Sequence, residues 1–230
     1  MPEFPTDPNT PIKNRLALSN YWIKLLAGLT MLIDHIGYVF FPGAEVWRII
    51  GRLSFPLFCW LLVQGEAHTR NVWRYEVRLL VLAVLSQPIY QWTFSIDGLD
   101  LNILFTLAIG LLCLKGVREY PSLEIPIWLG GALVATLSAS NYTAYGIGVI
   151  ALLKHFRPTL GWWASWGLLH GFDLAISHSI TQLFALPTPL IFYFTSGERG
   201  DRARWFYLFY PGHLLLLGII NWYLAQNTVG

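Results

Sequence analysis

The feature that most constrains this chain is a series of apolar runs, most of them long enough or nearly long enough to cross a lipid bilayer as a helix. A spanning helix needs about 20 predominantly apolar residues. Short polar breaks separate the runs, which lie at roughly 21–41, 49–65, 75–94, 100–116, 123–139, 143–155, 159–173, 176–194 and 204–224. Helices satisfy their own backbone polar groups in hydrocarbon. The pattern therefore predicts an all-α integral membrane protein, a polytopic bundle of about nine transmembrane helices that forms a single domain over 21–230.

The composition agrees with a membrane protein and argues against a soluble domain and against a nucleic-acid-binding protein. Only 12% of the residues are charged and 55% are hydrophobic, whereas a soluble domain carries about 25% charged residues. The basic residues are scattered between apolar runs and do not cluster with aromatic residues, so nucleic acid is not an expected partner. The first 20 residues are spaced by prolines and lack the apolar segment of a signal peptide. We expect a flexible tail at 1–20 and a lipid bilayer around the rest.

The distribution of basic residues predicts the orientation of the bundle. Lysine and arginine in short loops are retained on the cytoplasmic side. The tail and every second break are basic, with Lys13, Arg15, Arg70, Arg74, Lys115, Arg118, Lys154, Arg157, Arg199, Arg202 and Arg204. The breaks between them are acidic or uncharged, apart from Arg48. We therefore expect a multi-pass protein of the cell (inner) membrane with a cytoplasmic amino terminus.

Two ionisable residues share one face of the first predicted helix. Ten residues separate Lys24 from His35, which is about three helical turns and roughly 16 Å along the axis. Gly28 and Met31 fall between them on that face. Because ionisable groups at membrane depth are functional candidates, the pattern favours one side of a channel for an extended ligand. The alternative is that Lys24 extends its amine to the cytoplasmic interface and His35 makes a polar contact between helices.

A second group of ionisable residues lies toward the outer side of the predicted bundle. Arg48 and Arg52 are four residues apart and share a helical face, where they are suited to stabilise an anion or a developing oxyanion. Asp34 also lies at membrane depth, although it points about 100° away from His35 on the helix. We include all three with His35 as candidate catalytic residues. The alternative is that the arginines simply pair with Glu45 and Asp34.

The predicted cytoplasmic side offers a basic mouth. Arg70 and Arg74 suit a phosphorylated ligand, and His213 in the last run is placed to face the same cavity as Lys24. The chain has no HExxH, GxSxG or GxxxxGK motif, and His170, Asp173 and His178 are spaced too irregularly for us to predict a metal site. A histidine base, arginines and a basic mouth fit group transfer from a soluble anionic donor to an amine or hydroxyl.

Five segments of the chain carry a resemblance to a known family. They are LLAGLTMLIDHIGYVFF, IIGRLSFPLFCWLLVQGEAHTRN, RYEVRLLVLAVLSQP, LNILFTLAIGLL and FYLFYPGHLLLL. In these segments the chain resembles the TraX family, whose members include the pilin acetylation proteins of conjugative systems. The spacing of Lys24 and His35 is also similar to the pattern of the acyltransferase-three superfamily of integral membrane acyltransferases, in which ten residues separate a basic residue from a histidine.

The resemblance implies an activity and roles for individual residues. Acetyl-CoA is the implied donor, His35 the implied catalytic histidine and Lys24 its basic companion, with Arg52 and Arg48 in the active cavity. On this hypothesis the phosphates of CoA lie near Arg70, Arg74 and His213, and no metal is required. On the same hypothesis the expected acceptor is an amine or a hydroxyl, such as a pilin-like amino terminus, another peptide or a glycan.

Two other functions stay open at this point. A small proton-coupled permease would use Lys24, Asp34, His35 and Arg52 as a relay at membrane depth, and it predicts flux without CoA consumption. The third possibility is a membrane assembly subunit that has kept the fold without turnover, because fold does not fix function.

Overall fold

The computed structural model describes residues 18–98, 100–198, 200–201 and 205–227. Most of the tail predicted at 1–20 and the basic residues Arg199, Arg202 and Arg204 lie outside these residues. The described part is all-helical. Its α-helices are α1 (Asn20–Phe40), α2 (Glu45–Gly51), α3 (Ser54–His68), α4 (Val72–Phe94), α5 (Ile103–Glu119), α6 (Glu124–Leu137), α7 (Thr143–Lys154), α8 (Leu160–Ser177), α9 (Pro189–Phe192) and α10 (Phe206–Asn227).

Three of the described helical segments are long and apolar enough to cross a membrane. They are α1, the consecutive pair α2 and α3 over Glu45–His68, and α10. Rows of large apolar side chains also face outward from α6 and α8, at Ile125, Leu129, Leu133, Leu137, Leu160, Leu168, Phe172 and Ile176. Such a surface suits lipid and is unusual for a protein in water. The all-helical class is confirmed and these helices indicate a membrane protein, while the count of nine crossings stays a prediction.

Two of the predicted runs are not single helices. The second run begins earlier than predicted, at Glu45, and is divided by a turn at Arg52 and Leu53. The run at 176–194 contains the end of α8, a 3₁₀ helix at Ile180–Ala185 and the single turn α9. Pro187 precedes that turn and Pro189 is its first residue, and proline has no backbone N–H to continue a helical ladder.

Two glycines allow α2 to lie directly against α1. A Cβ added at Gly37 would overlap the side chain of Trp47, and one added at Gly51 would overlap Asp34. Close approach of two helices needs residues without side chains at the contact. The result is that Arg48 of α2, and Arg52 directly after α2, reach the carboxylate of Asp34 on α1. Helix α10 packs on α1 and α4, and this places the last helix beside His35.

Candidate functional site

A cavity of about 850 Å³ runs along α1. Its wall includes residues of α1 from Asn20 to Tyr38, a distance of roughly 27 Å along the helix axis. Helices α2, α3, α4, α5 and α10 supply most of the remaining wall. Of the predicted site residues that the structure describes, the wall contains Lys24, Asp34, His35, Arg48, Arg52 and Arg70. The cavity therefore joins the predicted cytoplasmic mouth to the predicted outer cluster.

The predicted cytoplasmic end of the cavity is basic. Lys24, Arg70 and Arg78 line it. Arg74 is exposed and is not among the described wall residues. Its backbone N–H donates at 2.9 Å to Oδ1 of Asn71, the residue that caps α4. Arg78 follows Arg74 by about one helical turn and lies over the ring of Tyr75, with 5.9 Å between the guanidinium carbon and the ring centroid. The structure thus puts Arg78 in the wall, where the sequence analysis had named Arg74.

The middle of the cavity is lined by apolar side chains. They come from α1, α3 and α4, namely Met31, Phe58, Leu61, Leu62, Leu79 and Leu82. This stretch separates the basic mouth from the ionisable groups farther along α1. It suits an uncharged, flexible part of a ligand, because a charged group would lose its hydration there.

Asp34, Arg48 and Arg52 form an ion-pair cluster at the far end, in which the Arg48 side chain is 34% exposed. Asp34 Oδ2 lies 2.9 Å from Arg48 Nη1, and Asp34 Oδ1 lies 2.7 Å from Arg52 Nη2. The Arg52 side chain is 7% exposed and that of Asp34 is 11% exposed. Two guanidinium groups share one carboxylate, so the cluster keeps one net positive charge. The pairing with Asp34 that was left open is present, and the arginines line the cavity as well.

Tyr142 completes this cluster. Its hydroxyl accepts a hydrogen bond from Arg52 Nη1 at 3.2 Å, and its ring stacks on Phe55 with 4.0 Å between centroids. The neighbouring Asn141 donates from its side-chain amide to the hydroxyl of Tyr90 at 3.2 Å. Both residues line the cavity, and the sequence analysis did not select them. The polar break between the runs 123–139 and 143–155 is the feature that marks them.

His35 has a histidine partner. Its Nδ1 lies 2.8 Å from Nε2 of His213, and His213 Nδ1 lies 2.6 Å from the carbonyl oxygen of Phe209. His213 is buried and is not among the described wall residues. The structure therefore puts His213 at the depth of His35, about three helical turns from Lys24, and not beside Arg70 where CoA phosphates were expected.

One of the two histidines that the sequence analysis considered for a metal, His170, has protein partners. His170 is buried and hydrogen-bonds to the hydroxyl of Tyr145 at 3.1 Å and to the carbonyl of Trp166 at 2.8 Å. Within the residues that the structure describes, no group of three or more His, Cys, Asp or Glu side chains is arranged to hold a metal ion.

Comparison with known proteins decides the family. The family model described as TraX protein matches residues 19–221. The chain belongs to the TraX family. A probable fimbrial assembly protein, FimC of serogroup H1 from Dichelobacter nodosus, is 32% identical over 237 residues, covering 90% of this chain and 97% of that protein. An uncharacterized protein, RP591 of Rickettsia prowazekii (strain Madrid E), is 33% identical over 88 residues, covering 38% of this chain and 33% of that protein. No solved structure matches the chain.

Proposed function

We propose that this TraX-family protein is an integral membrane acetyltransferase, which moves an acetyl group from cytoplasmic acetyl-CoA to an amine or hydroxyl acceptor. One observation carries the proposal. A single cavity connects a basic mouth at Lys24, Arg70 and Arg78 with His35 and the arginine cluster. The similarity between Lys24 with His35 and the pattern of the acyltransferase-three superfamily supports the same activity.

The chemistry of the cavity wall matches the parts of acetyl-CoA in order. The phosphates of the nucleotide part suit the basic mouth, since arginine donates charge-assisted hydrogen bonds to phosphate. The flexible arm suits the apolar middle between Met31 and Leu82. The thioester would then lie near His35, about 16 Å beyond Lys24 along α1. Acetyl-CoA is a substrate in this proposal, and no resident cofactor is involved.

The reaction needs a base and a group that stabilises negative charge. His35 takes the proton of the acceptor amine or hydroxyl while its nitrogen or oxygen attacks the thioester carbonyl carbon. A bond from the acceptor to that carbon forms, and the carbonyl oxygen becomes negative. The carbon–sulfur bond then breaks, and His35 returns the proton to the leaving sulfur, so the products are acetylated acceptor and CoA thiol.

The arginine cluster is suited to hold the oxyanion. A preorganised positive charge in a site without water stabilises a developing oxyanion strongly. Arg52 is held by Asp34 and Tyr142, so its guanidinium needs little rearrangement. Asp34 acts in this proposal by holding the arginines, because its two oxygens are engaged by Arg48 and Arg52.

The acceptor is proposed from the relatives and not from the cavity. The TraX family and the similarity to a probable fimbrial assembly protein suggest a pilus-related role. We therefore place a pilin-like amino terminus first among acceptors, followed by another peptide amine or a glycan hydroxyl. The protein would act in the inner membrane, with its donor site open to the cytoplasm.

The test uses the purified full-length protein in lipid nanodiscs. With acetyl-CoA and a pilin-like peptide, we expect release of CoA thiol and a peptide mass increase of one acetyl group. His35→Ala should lower the rate by about 100- to 10,000-fold, which is the usual contribution of a general base. His178→Ala is the matched control, because His178 directly follows α8 and is exposed.

Three outcomes would contradict the proposal. A normal rate in His35→Ala would remove the histidine from the mechanism. Substrate flux across sealed vesicles without release of CoA would identify a carrier. Binding of acetyl-CoA to the wild-type protein with no turnover on any acceptor would indicate an assembly subunit that has kept the fold.

A further inference from the structure

The carbonyl of Phe209 fixes which nitrogen of His213 carries a proton. A carbonyl oxygen only accepts hydrogen bonds, so His213 Nδ1, at 2.6 Å from it, is the donor. A neutral imidazole carries one proton on its two nitrogens. His213 Nε2 therefore has a lone pair and acts as an acceptor.

The proton position on His35 follows from its contact with His213. His35 Nδ1 lies 2.8 Å from His213 Nε2; since the latter is an acceptor, His35 Nδ1 must donate. The planes of the two rings differ by only 6°. Stacked rings keep their atoms about 3.5 Å apart or more, so nearly parallel rings with nitrogens at 2.8 Å must lie edge to edge in nearly one plane. That geometry directs the N–H of one ring at the lone pair of the other.

The arrangement leaves Nε2 of His35 unprotonated. His35 lines the cavity, whereas His213 lies behind it in the packed part of α10. The hydrogen bond of His35 to His213 uses Nδ1, so Nε2 is the nitrogen left for the cavity. The rings are also held in place, because Phe209 stacks on His213 at 4.8 Å and Phe94 meets His35 edge-on at 5.0 Å.

We infer that His213 is a positioning residue, which together with the Phe209 carbonyl holds His35 as the Nδ1–H tautomer and presents its Nε2 lone pair to the cavity as the base. The inference rests on the proposed function. When His35 accepts a proton at Nε2, its Nδ1–H bond to His213 becomes charge-assisted and stronger. His213 thus supports the positively charged state of His35, in the manner of the third member of a catalytic triad, although it is neutral itself.

NMR spectroscopy tests this inference without an activity assay. The protein is labelled with ¹⁵N-histidine, and long-range ¹H–¹⁵N correlations report which ring nitrogen is protonated. Resonances of His35 are assigned by their absence from His35→Gln. We expect Nδ1 to be protonated and Nε2 unprotonated in the wild-type protein. A wild-type His35 with its proton on Nε2 would overturn the inference, whatever the activity.

A kinetic test separates positioning from packing. His213→Gln keeps an acceptor atom near the former Nε2, whereas His213→Phe keeps the ring and removes the acceptor. We expect His213→Phe to lower kcat by about 10- to 100-fold, the usual effect of losing a hydrogen bond to a charged group. Its KM for acetyl-CoA should stay within twofold, and His213→Gln should keep kcat within fivefold of wild type.

The outcomes distinguish this inference from the proposed function. Equal losses in both variants would mean that His213 acts only through packing, and equal wild-type rates in both would mean that it does not act at all. Folding of His213→Phe is judged by gel filtration against His178→Phe. If His213→Phe fails to fold, the tautomer of wild-type His35 and the rate of His213→Gln still test the inference. A wild-type protein with no transferase activity refutes the proposed function, while the tautomer is still measured.

Discussion

Replacement of Gly51 by alanine tests how the arginine cluster is built. Gly51 is the last residue of α2 and is buried against α1. A Cβ at this position would overlap the Oδ1, Cβ and Cγ atoms of Asp34. Rotation of the Asp34 side chain clears the oxygen but not the Cβ, which is fixed to the backbone of α1. The two helices must therefore move apart, and Asp34 must move relative to Arg48 and Arg52.

The expected cost can be worked from this overlap. Forcing one methyl group into a packed contact costs about 1–3 kcal/mol. A stability change of 1 kcal/mol shifts the unfolding midpoint of a chain of this size by about 2–4 °C, so a decrease of roughly 2–12 °C is expected. Gly167→Ala is the matched control. Gly167 lies inside α8 with nothing within 4 Å of an added Cβ, so alanine there should be neutral or stabilising by up to about 1 kcal/mol.

The assay is thermal unfolding followed by circular dichroism in one detergent, with acetyl transfer measured in parallel. Gly51→Ala should lose both stability and kcat, because the displaced cluster no longer faces the thioester correctly. If Gly51→Ala unfolds at or above the wild-type midpoint and transfers acetyl at the wild-type rate, then α2 does not pack on α1 at Asp34 as described.

Two further predictions concern charges in the cavity. Asp34→Asn leaves the buried guanidinium of Arg52, and the partly exposed one of Arg48, without a counter-charge. An unpaired buried charge should lower the free energy of unfolding by about 3–5 kcal/mol. Chemical unfolding measures this change, with Glu45→Gln at an exposed position as the control, and equal stability of the two variants would contradict the cluster. Arg78→Ala should raise the KM for acetyl-CoA by about tenfold or more, the value of a charge-assisted hydrogen bond, while Arg74→Ala stays within twofold. Equal KM values for these two arginine variants would show that the basic mouth does not bind the donor through Arg78.

Much of the cavity follows from spacing on one helix. Lys24 and His35 share a face because their separation is close to a whole number of turns, and both line the cavity. The same local rule gives the shared face of Arg48 and Arg52. Whether they pair with Glu45 and Asp34 was left open, because such pairing depends on how closely α2 approaches α1. Gly37 and Gly51 set that approach, and a glycine alone does not indicate what it touches.

Contacts between distant helices could not be predicted from spacing. His213 meets His35 across 178 positions of chain, which depends on the packing of α10 between α1 and α4. Arg74 and Arg78 are four residues apart and share a face of α4, yet only Arg78, one turn farther along the helix, lines the cavity. Spacing alone does not indicate how far along α4 the cavity reaches. The run at 176–194 has the composition of a helix, but the local effect of its prolines overrides the apolar pattern.

The hydrogen-bonded line from His35 through His213 ends at a peptide carbonyl. The Phe209 carbonyl oxygen accepts a hydrogen bond from His213 but carries no proton that it could transfer further. A proton gained by His35 thus has no exit along this branch among the described residues, and it must leave by the side on which it arrived. This arrangement suits a base that takes up one proton and returns it in each turnover. A carrier that moves protons across the bilayer would need another route.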